Sequence, residues 1–278
     1  MNTKSVIHNF IFSSGKLPEW LRGSLIRNGP GLRRIGDTEY KHLFDGLALL
    51  HHFQIDGERG TVTYMNRFLR SDAYVRNTRA QRIVVSDFGT RAYPDPCKSI
   101  LQRFMAYFTF KQFTDNNAVN VYPIGDQIYA TTESPYIRRI DPQTLETFER
   151  HDMSKYLAVG TQTAHPHIGN DGSVYNLASK FGSKGTYNVI CIPQNANSSS
   201  PLGSALLTCS IPMQRPLFPS YYHSFCMTEN YIVFVEQPLV ISVPSLTMKH
   251  FTGGSLSSAL KWKPKHKVNF YGFFVERD

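Results

Sequence analysis

The chain has no apolar run that approaches the ~20 residues of a membrane-spanning helix. Its four cysteines, Cys97, Cys191, Cys209 and Cys226, show no C-x-x-C spacing. That removes the usual zinc and dithiol frameworks and makes a reduced intracellular compartment the simple expectation. The first residues, interrupted by His8 and Asn9, do not read as a secretory signal. Acidic residues are the minority, 21 against 30 Lys and Arg, for a net charge of +9. The basic residues are dispersed rather than striped, so nucleic acid is not the expected partner. An anionic membrane surface suits the charge better, and a solvated basic surface is the plain alternative.

What is present favours β structure. There are 19 Phe and 15 Tyr in 278 residues, a length sufficient for one or two domains with a sizeable core. Residues 42–69 read as a hairpin that turns at Asp56–Gly60, with His51 and His52 inside it. Pro18–Gly31, punctuated by Gly23, Gly29, Pro30 and Gly31, reads as an irregular lead-in to a first strand. Three later stretches, beginning at Gly125, Asn170 and Thr228, share one grammar of polar turn, short apolar strand, turn and strand. Such a recurrence suits propeller blades of about 40–50 residues better than a sandwich. Asn195–Gly203 reads as a flexible loop between strands.

Thr163–Gly182 concentrates the chemistry. His165 and His167, separated by Pro166, precede a turn at Asn170-Asp171-Gly172 and an alternating run from Val174. Residues two apart on a strand share a face, so both imidazoles are candidates to line one wall, and neutral imidazole suits iron, zinc and copper. The same pair also reads as one hydrogen-bonded and one surface histidine. His223 stands in a like position, a histidine followed by a turn at Thr228–Asn230 and a strand from Tyr231. Cys97–Phe113 has the pattern of a helix, with Ile100, Leu101, Phe104, Met105 and Phe108 at helical spacing among Lys98, Arg103 and Lys111. An aromatic face with basic flanks fits a membrane interface, and equally a helix packed on the body of the fold.

Several motifs in order carry a family resemblance: RNGPG at Arg27–Gly31, LFDG at Leu43–Gly46, PDPCK at Pro94–Lys98, AHPHI at Ala164–Ile168 and YYHSF at Tyr221–Phe225. From about Leu17 onward the chain resembles the animal carotenoid cleavage oxygenases, a group that includes the retinoid isomerohydrolase of the pigment epithelium. The resemblance implies an all-β fold, a seven-bladed β-propeller with a helical membrane-facing cap, of which 1–278 would form one partial domain of about half the blades. It implies one Fe(II) per subunit on four histidines. His165 and His223 match the first two ligand motifs, and His167 does not. Glu133 matches a carboxylate that orients a ligand histidine, here His223, although Pro135 departs from the usual motif. The other two histidines would lie beyond Asp278, so residues 1–278 alone are expected to be inactive.

The implied function is cleavage of a carotenoid double bond by O2 into two aldehydes. The alternatives are retinoid isomerohydrolysis, or a truncated lipophile-binding fragment. The implied placement is cytoplasmic or mitochondrial and peripheral to a membrane, with contacts through Cys97, Ile100, Leu101, Phe104, Met105 and Phe108.

Overall fold

The computed structural model describes residues 15–102, 113–157, 159–194, 200–252 and 254–275, together with the backbone of 6–10; for 249–252 it likewise describes backbone alone. Phe104, Met105, Phe108 and residues 195–199 of the expected loop lie outside the described residues.

The first sheet contains β1 (Val6–Phe10), β2 (Arg22–Leu32), β5 (Leu47–Asp56) and β6 (Thr61–Phe68) in the order β1-β6-β5-β2. A two-residue pair, β3 (Arg34–Ile35) and β4 (Thr38–Glu39), joins β2 to β5. The turn between β5 and β6 falls where the sequence places it. Pro18–Gly31 differs from expectation, because β2 is a regular strand of 11 residues. As the outer strand of the sheet it tolerates Pro30, whose missing N–H would break an interior ladder, and the register slips between Pro30 and Leu32. Gly31 is required by proximity, since a Cβ there would sit 2.3 Å from Leu49 Cβ.

Helix α1 (Asp72–Ala80) follows, capped by the Ser71 hydroxyl accepting from the Tyr74 N–H. Its first-turn amides, at Asp72 and Ala73, donate to the buried Asp115 carboxylate, which Arg138 pairs at 2.7 Å.

The second sheet is an antiparallel meander of β7 (Asn120–Ile124), β8 (Gln127–Thr131), β9 (Tyr136–Ile140) and β10 (Thr147–Asp152). The third contains β11 (Thr161–Gln162), β12 (His167–Ile168), β13 (Val174–Lys180), β14 (Thr186–Ile192) and β15 (Leu206–Pro212). In it, β11 and β12 both pair with β13. The fourth has β16 (Cys226–Met227) and β17 (Tyr231–Glu236), closed by β20 (Asn269–Phe274). Between β17 and β20 lie a hairpin of β18 (Leu239–Ile241) and β19 (Leu260–Trp262) and the helix α2 (Val243–Thr252). Gly125, Asn170 and Thr228, where the three stretches that share a sequence grammar begin, each lie in the turn leading into an interior strand of one sheet, β8, β13 or β17.

The core lies between successive sheets. Ala48 and Leu50 of the first pack with Ala130 and Ile140 of the second. Tyr122, Ile124 and Ile137 of the second meet Val174, Ala178 and Ile190 of the third. Tyr175, Leu177 and Val189 of the third meet Ile232 and Phe234 of the fourth. Strand β13 is accordingly buried on both faces, its alternate residues entering different cores. The described residues are mainly β with few helices. Of the segment read as a helix, Cys97–Phe113, residues 97–102 and 113 are described and 100–102 are helical; Ile100 and Leu101 are exposed there, as is Cys97. Among the described residues, no helix is long and apolar enough to cross a membrane.

Candidate metal centre

His165 and His223 come together from different sheets. Their ring centroids are 4.4 Å apart with planes tilted by 59°. Each histidine lies just before a two-residue strand, β12 or β16, that turns back into a long one, so the same local path delivers both imidazoles.

The backbone at His165 is pinned at three points. Its N–H donates to Thr163 Oγ1 at 2.9 Å, the Asn176 amide donates to the Thr163 carbonyl at 2.9 Å, and the Asn120 amide donates to the Ala164 carbonyl at 2.8 Å. His165 Nε2 is buried and has no hydrogen-bond partner. A buried polar atom left so is uncommon; His52 Nε2 in the first sheet is in the same condition. Burial, followed by the neighbouring His223, pushes the His165 pKa down and keeps the ring in its neutral, ligand-competent form.

His223 is held differently. Its Nδ1 lies 2.6 Å from Glu133 Oε1, in the loop between β8 and β9. The Tyr221 hydroxyl donates to both Glu133 oxygens, at 2.9 and 3.0 Å. With the carboxylate accepting at Nδ1, the proton of a neutral ring sits there and the lone pair is on Nε2. The Glu133 hydrogen bond raises the His223 pKa, with burial opposing it. Burial, followed by Glu133, pushes the Tyr221 phenol up and keeps it a donor.

His167, the other imidazole of the pair, faces elsewhere. Its Nε2 is 2.9 Å from the Phe225 carbonyl, which only accepts, so Nε2 carries the proton. The expectation that both histidines line one wall gives way to this division. Cys226, near His223, is exposed on β16. His51 and His52 belong to the first sheet, with His51 Nδ1 2.6 Å from the Tyr64 hydroxyl. Sequence reasoning missed Tyr221, Asn120, Thr163 and Asn176. Tyr221 and Thr163 had a local signal, each being two residues before its histidine. Among the described residues, no group of three or more His, Cys, Asp or Glu is arranged to hold a metal ion. Two imidazoles and an orienting carboxylate are what these residues offer.

A family model described as retinal pigment epithelial membrane protein matches residues 5–273. The chain belongs to that family. Within it, the chain is 45% identical over 271 residues to the beta,beta-carotene 15,15'-dioxygenase of Gallus gallus, covering 95% of this chain and 51% of that protein. It is 47% identical over 265 residues to the Rattus norvegicus protein of the same name, covering 92% and 46%. A mitochondrial carotenoid-cleaving dioxygenase of Mustela putorius furo is 43% identical over 259 residues, covering 92% and 48%. The chain spans about half the length of the curated relatives it matches. Among solved structures it resembles an ACO/RPE65 chimera with TM-score 0.76 at 22% identity, covering 98% of this chain and 54% of that one. Cobalt-substituted Synechocystis ACO gives TM-score 0.75 at 23% identity, covering 98% and 54%. These two likenesses are of fold.

Proposed function

We propose that this chain carries part of a non-haem Fe(II) dioxygenase that splits a carotenoid double bond with O2 into two aldehyde products. The observation that carries the reading is the juxtaposition of His165 and His223, one with an orphaned buried Nε2 and the other with Nδ1 committed to Glu133. The donor set fits iron, because neutral imidazoles bind Fe(II) without adding charge and leave it electrophilic. His165 and His223 would hold the ion through Nε2. Bound Fe(II) supplies the redox chemistry by which both atoms of O2 reach a polyene C=C bond. Glu133 fixes the His223 tautomer and ring orientation, and Tyr221 fixes Glu133. Asn120, Thr163 and Asn176 keep the backbone at His165 from yielding. The names of the relatives at 43–47% identity support the substrate class.

The sheets are the successive blades of a β-propeller, a reading supported by their chain order and by the cores between neighbours. The exposed Ile100 and Leu101 beside Cys97 support a peripheral membrane contact there, for a substrate that partitions into lipid.

The test joins residues 1–278 to the part of the Gallus gallus relative that they do not cover, with β-carotene in detergent as substrate. Aldehyde products with bound iron are expected, both lost in His165→Ala and in His223→Ala. Retinol isomers in their place would mean isomerohydrolysis, and bound carotenoid without iron or products would mean a lipophile carrier. Retention of iron by both alanine variants would sink the ligand assignment.

A further inference from the structure

His165 and His223 lie in segments of different sheets, and among the described residues no strand ladder runs between those sheets. Their spacing is therefore not set by β register. A short bridge closes between the two segments two residues downstream of each histidine. His167 Nε2 donates to the Phe225 carbonyl at 2.9 Å, and the two rings meet edge to face at 4.7 Å. Both ends of this bridge are anchored. His167 pairs with Tyr175 on the doubly buried β13, and Phe225 is buried in the core formed with Tyr175, Leu177 and Phe234. Phe225 also leads directly into β16, where Cys226 pairs with Val233. The Phe225 carbonyl receives one further contact, a Ser224 hydroxyl at 3.4 Å, which lies within the His223 segment and fixes nothing across the sheets.

We propose that His167 is a positioning residue that sets the distance between the His165 and His223 imidazoles by anchoring the Phe225 carbonyl across two sheets. The inference rests on the reading of those two histidines as ligands. It explains a second histidine in the His-Pro-His segment whose own Nε2 is unavailable to a metal. Loss of the donor frees the Phe225 carbonyl and lets the His223 segment drift from His165, so that one ion no longer reaches both rings. Glu133 keeps orienting His223 through Nδ1, and the Tyr222 hydroxyl, 2.8 Å from Ser179 Oγ on β13, holds the residue before His223.

The experiment uses the full chain and Cu(II)-iminodiacetate, a probe with open positions for two adjacent imidazoles. Binding is titrated, and nitrogen couplings in the electron paramagnetic resonance spectrum count the imidazoles. The unmodified chain is expected to show two. His167→Ala and His167→Phe should show one, with affinity lower by about tenfold or more, as for other groups that orient a ligand. His167→Phe keeps a ring against Phe225 and lacks only the donor. His167→Gln, which offers an amide donor, should restore two imidazoles. Two imidazoles and unchanged affinity in both His167→Ala and His167→Phe would overturn the proposal. So would a folded His167→Gln that still shows one, or loss of folding in both of the first two variants, which would make His167 a packing residue only. Fewer than two imidazoles in the unmodified chain would overturn the ligand reading itself.

Discussion

Asn120 donates its side-chain amide to the Ala164 carbonyl at 2.8 Å, so the second sheet grips the third one residue before His165. The Asn120 carbonyl in turn accepts from Asn28 of the first sheet at 3.3 Å, and the Asn117 carbonyl accepts from the same amide at 2.6 Å. Three sheets are thus connected through asparagine amides. Apolar side chains between the sheets supply the packing, while these directional bonds determine where one sheet's end sits on the next.

Asn120→Ala leaves the Ala164 carbonyl without that donor. A lost bond of this kind costs about 1–3 kcal/mol when the acceptor stays buried. Urea denaturation is expected to show a loss of that order, and Fe(II) affinity should fall with it. An unchanged midpoint would mean water replaces the amide at no cost.

Glu133 has a graded role. Glu133→Gln keeps an oxygen for His223 Nδ1 and for Tyr221, and should weaken Fe(II) binding less than Glu133→Ala. The alanine variant should lose on the order of 10–100-fold in affinity. Equal affinities in the two variants and the unmodified chain would show that the carboxylate does not orient the ligand.

The half-buried Asp87 links stability to pH. Burial, followed by the nearby Asp45, raises its pKa from 3.8 to about 7. The folded chain then holds a proton that the unfolded chain has released, so this contribution is complete below about pH 4 and is lost as pH rises through about 7. The urea midpoint should decline across that window and the decline should be shallower in Asp87→Asn, which stays neutral beside the Asn116 amide that donates to Asp87 Oδ2 at 2.8 Å. Identical pH profiles for the two proteins would exclude Asp87 as the source.

Gly31→Ala tests the close approach of β2 to β5. The added Cβ would meet Leu49 Cβ, which lacks the freedom to swing aside. A loss of about 1–3 kcal/mol is expected from overpacking, read by thermal or urea unfolding. Metal binding by the folded fraction should be unaffected, since the strain lies in the first sheet.

Ile100→Asp combined with Leu101→Asp probes the proposed membrane contact. Both side chains are exposed, so folding and circular dichroism should not change. Sedimentation with anionic vesicles should decrease markedly. Undiminished co-sedimentation would place the membrane surface elsewhere or remove it.

Local patterns in the sequence identify the two hairpins at residues 42–69 and 163–182, because alternation and an Asp-Gly turn act over a few residues. They also identify His165, His223 and Glu133 through family motifs. Pro18–Gly31 was misleading, since Pro and Gly weaken an interior strand but are tolerated on an edge, and edge position is decided by what pairs with what. By spacing alone His167 and His165 look equivalent, and only the family motif separates them; in the fold the carbonyl of Phe225, 58 residues away from His167, takes up its Nε2.

The sequence by itself determined the β character of the chain, its sheet-by-sheet order and the residue types able to bind a metal. These follow from side-chain alternation, turn chemistry and the chemistry of imidazole, all of which are local. Tertiary structure decided which imidazole points where, that Tyr221 backs Glu133, and that asparagine amides and His167 fasten one sheet to the next. Those outcomes depend on groups brought together from separate sheets. Their distances follow from how the cores between sheets pack, which no window of sequence contains.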